Sequence, residues 1–364
     1  MQDWGDGSTR PRVSVTNWVH ADVVARLAAH CTVDANPGTE PWSRDEAKGR
    51  TAAADGLVAF MPDRIDADFL NGCPRLKIVA CALKGHDNFD IDACTQRGIW
   101  FTVVPDLLTE PTAELAVGLS IAVGRNLMAG DRYVRSGAFA GWRPCFYGVG
   151  IAGARVGLMG MGRIGQAIAR RMEALGATVV WWDRYPPQAA ALGDLAVRRV
   201  DFDELLSTTD FVIVALSLRP ETQHLVDADV LARMRREAYL INPARGSVVD
   251  EGAVADALEA GRLAGYAADV FEMEDWARPD RPVGIEPRLL EMPERTVLTP
   301  HLGSAVDNVR REIALSAAEN ILDVLVRGPP PRDAVNRPVG QPDTQADETS
   351  GGRSDRQSDG TRAC

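Results

Sequence analysis

The sequence predicts an α/β protein of two lobes, each a doubly wound parallel sheet, with an active site in the cleft between them. Three observations carry this. Short apolar runs alternate with stretches of helical period along most of the chain, the pattern of a parallel sheet with helices on its faces. The glycine turn Gly160-Met-Gly-Arg-Ile-Gly165 lies between the apolar runs Val156–Met159 and Thr178–Trp182. At 364 residues the chain is long enough for two separate cores.

Composition bounds the function. Hydrophobic content of 45% and charged content of 25% are those of a globular protein. The net charge of −11 argues against a nucleic-acid partner. No uninterrupted apolar run approaches the ~20 residues of a spanning helix, so no membrane partner is expected. The first residues lack an apolar signal region, which points to the cytoplasm. The six cysteines form no C-x-x-C pair and the five histidines have no ligand spacing. Free thiols without a metal site are therefore expected.

Taken in order, residues 1–11 read as a disordered tail. Strands follow at Val13–Thr16, Gly56–Met61, Leu76–Leu83 and Ile99–Val104. Between them lie helical stretches at Val19–His30, after Ser43 as a cap, at Asp66–Asn71 and at Ile91–Arg97. Thr112–Val134 reads as one apolar helix crossing between lobes, with Pro111 at its first position. Gly141–Gly153 is a loop rich in glycine, proline and aromatics.

The second sheet draws strands from Val156–Met159, Thr178–Trp182, Phe211–Leu216, Tyr239–Ile241, Gly265–Val270 and Thr296–Leu298. Six such strands make a complete Rossmann-like domain. Ser304–Val326 is a last amphipathic helix expected to return to the first lobe. The expected organisation is 12–104 with 304–335 as a substrate-binding domain and 105–303 as a dinucleotide domain. The polar, low-complexity segment 340–364 reads as a second disordered tail.

The glycine turn points to NAD. Gly160, Gly162 and Gly165 have the spacing that lets backbone N–H groups and a helix N-terminus approach a pyrophosphate. Asp183 ends the next apolar run, where a carboxylate accepts from the ribose 2′-hydroxyl and repels a 2′-phosphate. Arg184 beside it partly offsets that repulsion, so some tolerance of NADP is expected.

Three further motifs fall at strand ends. Arg245, in Asn242-Pro-Ala-Arg-Gly-Ser-Val-Val-Asp250, can hold an oxyanion with its fork of donors. Asp269 and Glu274 lie in Asp269-Val-Phe-Glu-Met-Glu274, the first suited to accept from a nicotinamide or ribose donor. His301, in Thr299-Pro-His-Leu-Gly303, becomes a general acid/base if Glu274 orients it.

These motifs together resemble the D-isomer-specific 2-hydroxyacid dehydrogenase family over about residues 12–335. The resemblance implies catalysis by Arg245, Glu274 and His301, and a homodimer built on the NAD domain. It implies cofactor contacts from Thr112, Gly160, Gly162, Arg163, Ile164, Gly165, Asp183, Arg184, Leu216, Pro243, Ala244, Arg245, Asp269, His301 and Ser304. Stretches outside the shared motifs, among them Phe60–Leu70, Cys81–Asp90 and Phe271–Arg278, resemble the phosphite (phosphonate) dehydrogenase branch. His86 and the Asp183-Arg184 pair depart from that branch.

On this resemblance the substrate is phosphite, oxidised to phosphate. Lys84, Gly85 and Arg245 hold its oxygens, Met61 walls the pocket, and Ser304 and Arg310 add contacts. Trp142 and Tyr147 close over it, from the same chain or from a partner. His301 takes a proton from the attacking water, with Arg310 as the alternative base. A competing expectation is reduction of a small 2-keto acid, such as glyoxylate or hydroxypyruvate, on the same residues. A third is an NAD-sensing, corepressor-like binding protein.

Overall fold

The computed structural model describes residues 10–104 and 106–340. The expected tails thus lie almost wholly outside the described residues. The first sheet is built from β1 (Arg12–Val15), β2 (Thr32–Ala35), β3 (Gly56–Ala59), β4 (Ile78–Cys81) and β5 (Trp100–Thr102). These five strands are all parallel, in the order β2-β1-β3-β4-β5. Four were legible as apolar runs. β2, Thr-Val-Asp-Ala, was missed because an edge strand with half-exposed residues carries no apolar run.

The second sheet is built from β6 (Arg155–Met159), β7 (Thr178–Trp182), β8 (Arg198–Arg199), β9 (Phe211–Val214), β10 (Tyr239–Asn242), β11 (Gly265–Ala268) and β12 (Thr296–Leu298). Seven parallel strands run β12-β11-β10-β9-β6-β7-β8, one more than the sequence expectation. The addition, β8, is two exposed arginines paired to the edge of β7, which hydropathy cannot reveal. The strand order reverses between β6 and β9, and a ligand crevice opens at the carboxyl ends there.

Twelve helices cover the two sheets among the described residues. They are α1 (Ala21–Ala28), α2 (Arg44–Thr51), α3 (Ala67–Asn71), α4 (Ile91–Gln96), α5 (Thr109–Gly124), α6 (Leu127–Arg135), α7 (Arg163–Ala174), α8 (Phe202–Thr208), α9 (Ala228–Arg233), α10 (Glu251–Glu259), α11 (Pro287–Glu291) and α12 (Asp307–Leu322). Ser43 caps α2 by accepting from the Glu46 N–H, as its sequence position predicts. α7 buries Ala167, Ile168 and Met172 completely. Burial of a side chain such as Ile168 is worth about 1.5–3 kcal/mol.

The single helix expected over Thr112–Val134 is two. Asn126, at φ 53°, breaks it into α5 and α6. Asparagine tolerates this left-handed conformation better than most residues. α5 also starts at Thr109, before Pro111. It packs on α7, β10 and β11. By length and composition Asp106–Gly124 is the one described segment apolar enough to span a bilayer, and half of it is buried within the fold.

α12 leaves the end of the second sheet and packs on α1, β3 and β4 of the first. Ile313, Ala314, Ala317, Ala318 and Ile321 enter the same core as Val13, Val15 and Ile78. The chain then covers the β5 edge. Asn336 accepts from the Phe101 N–H at 2.7 Å, and Ala334 bridges Thr102 antiparallel. Cys31, Cys73, Cys81 and Cys94 are free, buried thiols; Cys145 is exposed. Burial pushes the Cys31 thiol up to about 11 and that of Cys94 to about 12.

Candidate active site

The glycine turn forms a cradle in which each glycine is needed for a different reason. Gly160 takes φ 104°, and a Cβ there would lie 2.5 Å from the Ala215 carbonyl oxygen. Gly165 packs on the Gly160 carbonyl, which a Cβ would meet at 2.3 Å, so α7 sits tight against β6. Gly162 faces open space and leads into α7, with Arg163 and Ile164 as its first residues. The first N–H groups of a helix lack intrahelical partners, and here they border that space. Asp183 closes the cradle: its Oδ2 accepts from the Met161 N–H and its Oδ1 from the Tyr185 N–H, both at 2.9 Å. Leu216 adjoins Gly160, and Arg184 is exposed beside Asp183. This cradle fits a dinucleotide on its own geometry.

Pro243, Ala244 and Arg245 follow β10 at the carboxyl edge. Asn242 shapes this turn, accepting from the Ala244 N–H and donating to the Arg245 carbonyl. The Arg245 side chain crosses the cleft to the first lobe. Its Nε donates to both oxygens of Asp87 at 3.2 and 3.3 Å, and its Nη1 donates to the Ala244 carbonyl at 2.9 Å. Its Nη2 lies against Gly85, where a Cβ would fall 1.6 Å from that nitrogen. Gly85 is thus a glycine because the guanidinium occupies the place of its side chain.

The opposing loop corrects one expectation. Lys84 is not a free cation: its Nζ pairs with Asp106 Oδ1 at 3.2 Å, and Asp106 also pairs with Arg163 from the glycine turn. Burial and then the nearby Arg163 charge lower the Lys84 pKa. Arg310 makes a 3.3 Å hydrogen bond to Ser304 Oγ and lies over the Phe60 ring. It has no carboxylate partner among the described residues, and burial lowers its pKa. Met61 is half-buried, and its carbonyl accepts from Asn88.

His301 sits in the turn after β12 at φ 55°, unusual for a residue with a side chain. Asp269 holds that turn. Its Oδ1 accepts from Thr299 Oγ1 at 2.6 Å and the Leu302 N–H at 2.7 Å, and its Oδ2 accepts from the Gly303 N–H at 2.8 Å. Burial raises its pKa. Asp269 therefore builds the turn through donors from this chain. Glu274 orients the ring as expected, with Oε2 2.6 Å from His301 Nδ1. The Phe271 N–H donates to Glu274 Oε1 at 2.8 Å and holds the carboxylate in turn. Among the described residues His301 Nε2 has no hydrogen-bond partner, so it is the nitrogen available for proton transfer. Thr112 Oγ1 donates to the Gly303 carbonyl, which ties the start of α5 to this turn.

Trp142 and Tyr147 are not brought to this site. Their loop is anchored at the far end of α5, where the Val149 N–H donates to the Gly124 carbonyl. Gly124 lies roughly 18 Å along the helix from Thr112, at 1.5 Å per residue. Trp142 is 85% exposed and Tyr147 is 79% exposed. His86 is exposed, its ring edge-on to Phe101 and its Nδ1 3.3 Å from the Lys84 carbonyl. Sequence reasoning missed Asp87, Asn88 and Asp106. Asn88 bridges the lobes, donating to Met61 O and accepting from the Ala277 N–H. Their only signal was membership of the stretches Cys81–Asp90 and Val104–Thr109; hydropathy could not single them out.

Comparison with known proteins agrees with this geometry. The family model for the D-isomer specific 2-hydroxyacid dehydrogenase NAD-binding domain matches residues 117–303. A glyoxylate reductase of Korarchaeum cryptofilum is 37% identical over 332 residues, covering 91% of this chain and 97% of the relative. The chain belongs to the D-isomer specific 2-hydroxyacid dehydrogenase family. Among solved structures, the TT0316 protein of Thermus thermophilus superposes with a TM-score of 0.80 at 36% identity, covering 89% of this chain and all of that one. The NADPH-dependent glyoxylate/hydroxypyruvate reductase of Sinorhizobium meliloti, solved with NADP and malonate, gives 0.77 at 29% identity over 90% of this chain and 98% of that one. The cofactor of this dehydrogenase is NAD, held on the family's NAD-binding domain.

Proposed function

We propose that this dehydrogenase transfers hydride between NAD and a small 2-hydroxy/2-keto acid of the glyoxylate class. The observation that carries the reading is His301 in hydrogen bond with Glu274, in the same cleft as Arg245, which reaches across to the first lobe. The relatives named as glyoxylate reductases support the substrate class. When bound, the nicotinamide supplies or accepts the hydride. The chain supplies the rest. Arg245 Nη2 and the backbone at Gly85 take the carboxylate, and His301 Nε2 donates a proton to the carbonyl oxygen in the reducing direction. Glu274 holds the imidazole and offsets the charge it carries when protonated. Asp87 holds Arg245 Nε, leaving the outer edge of the fork toward substrate.

A second reading, oxidation of phosphite to phosphate, is favoured by Arg310, a half-buried cation with no carboxylate partner among the described residues. With Arg245, and with Lys84 if it leaves Asp106, it suits a doubly charged oxyanion. There water attacks phosphorus, His301 takes its proton, and hydride leaves phosphorus for the cofactor. NADH consumption with glyoxylate and hydroxypyruvate, beside NADH formation with phosphite, decides between them. Turnover of the keto acids supports the first reading. Turnover of phosphite alone replaces it with the second, and NADH binding without either reaction overturns both.

The chain is further proposed to act as a homodimer. Val134, Phe139, Trp142 and Tyr147 form an exposed apolar arm on α6 and its following loop, a surface suited to burial against a second copy. Light scattering should give twice the 39.3 kDa chain mass. A monomeric mass in a fully active preparation would remove this proposal.

A further inference from the structure

We propose that Asp275 is a positioning residue for Arg245, acting through the Ser247 turn, so that one short segment sets both halves of the site. This rests on Arg245 binding the substrate oxyanion. Phe271–Asp275 follows β11 and carries two adjacent carboxylates that serve different partners. Glu274 receives the Phe271 N–H and holds His301. Asp275 is 1% exposed, and its Oδ2 accepts at 2.8 Å from the N–H of Ser247, two residues beyond Arg245. The Ser247 hydroxyl accepts from Arg278 Nη1 at 2.6 Å, which fastens the same turn from the segment's other end. Between them Gly246 lies on the Phe271–Glu272 backbone, so close that a Cβ would fall 1.9 Å from the Phe271 carbonyl carbon.

The chemistry of Asp275 is unusual for a purely structural group. Its Oδ1 is buried with no hydrogen-bond partner in the structure. A buried carboxylate with one oxygen unsatisfied is costly, and a neutral acceptor would hold the Ser247 N–H at lower cost. Burial raises its pKa, the Ser247 hydroxyl and N–H oppose that shift, and of the nearby charges Asp87 disfavours its ionised form while Arg245 favours it. Asp87 and Asp275 thus flank one guanidinium, the first by direct contact and the second through the turn that bears it. Loss of the Asp275 acceptor frees the Ser247 N–H and lets the Arg245 turn shift while the Glu274–His301 pair stays intact.

The test compares Asp275→Ala, Asp275→Leu, Asp275→Asn and Arg245→Ala in the full chain, with glyoxylate and NADH and with phosphite and NAD. For whichever substrate the wild type turns over, Asp275→Ala should raise KM at least tenfold. The dissociation constant for NADH, read by fluorescence, should stay within twofold, and the pH profile of kcat should not move. Asp275→Asn retains an acceptor and should restore KM to within about threefold of wild type. Asp275→Leu fills the volume without an acceptor and should match the alanine variant, which keeps the test usable if the latter does not fold. An unchanged KM in Arg245→Ala refutes the role of Arg245 itself. A raised KM there with normal kinetics in both Asp275→Ala and Asp275→Leu refutes the positioning role, as does parallel loss of NADH affinity and kcat.

Discussion

Gly85→Ala is the sharpest probe of the cleft. The added methyl carbon would lie 1.6 Å from Arg245 Nη2, 2.8 Å from its Cζ and 3.3 Å from Asp87 Oδ1. The guanidinium nitrogen must retreat by roughly 2 Å to reach an ordinary contact of about 3.5 Å. The end of an arginine side chain can do so without unfolding anything, so the melting temperature should change little. The bonds from Arg245 Nε to Asp87, at 3.2 and 3.3 Å, have no slack for that movement and should be lost. Misplacing a substrate-holding group by about 1 Å can cost about 100-fold in rate, or roughly 2.7 kcal/mol at 1.4 kcal/mol per tenfold. The expected result is a fall of about that size in kcat/KM, carried mainly by KM, with NADH affinity retained. Steady-state kinetics and NADH titration measure both. Wild-type KM in a folded Gly85→Ala variant would show that the guanidinium does not need the space it occupies here.

The remaining predictions concern proton transfer, cofactor choice and pH. Glu274→Gln should lower kcat by about 10- to 100-fold, the loss expected when a charge-assisted hydrogen bond worth about 1.5–3 kcal/mol becomes neutral; stopped-flow rates of NADH oxidation would reveal an unaffected step if Glu274 only packs. Arg184→Ala should weaken NADP without weakening NAD, since it removes the cation beside Asp183, and equal losses for both cofactors would contradict this. Asp63 is buried beneath Phe60 and Met61, accepting from Thr16 Oγ1 and the Phe60 N–H, and burial raises its pKa to about 6. Because the folded value lies above the unfolded one, its contribution is present below pH ~4 and is lost as pH rises through ~6. Urea unfolding should therefore find wild type losing up to roughly 3 kcal/mol relative to Asp63→Asn between pH 4 and pH 7. A difference that does not vary with pH would mean that Asp63 titrates normally.

Much of the site was legible because it rests on local chemistry. Gly160, Gly162, Gly165 and Asp183 announce themselves by spacing, and the structure joins them through the Met161 N–H. His301 and Glu274 were paired from their motifs and meet at 2.6 Å. The misses have a common cause. Trp142 and Tyr147 read from the resemblance as closing over the substrate, and α5 carries their loop away from Thr112 of the same chain, which leaves only the partner to supply them. Lys84 read as an oxyanion ligand because of its neighbours in sequence, and its ammonium finds Asp106 instead. That Asp269 also holds the backbone of the His301 turn was not legible either.

By itself the sequence determined most element types, the two parallel sheets, the glycine cradle and the pairing of His301 with Glu274. Each depends on residues close together in the chain, where hydrophobic period, glycine conformation and strand-end motifs act directly. Only the tertiary structure decided what Arg245 touches, that its guanidinium fills the space beside Gly85, and that Asp87, Asn88 and Asp275 belong to the site. Those contacts join loops far apart in sequence, across the cleft for Asp87 and Asn88 and within the second lobe for Asp275. Their energies come from burial and charge pairing that exist only once the lobes have met.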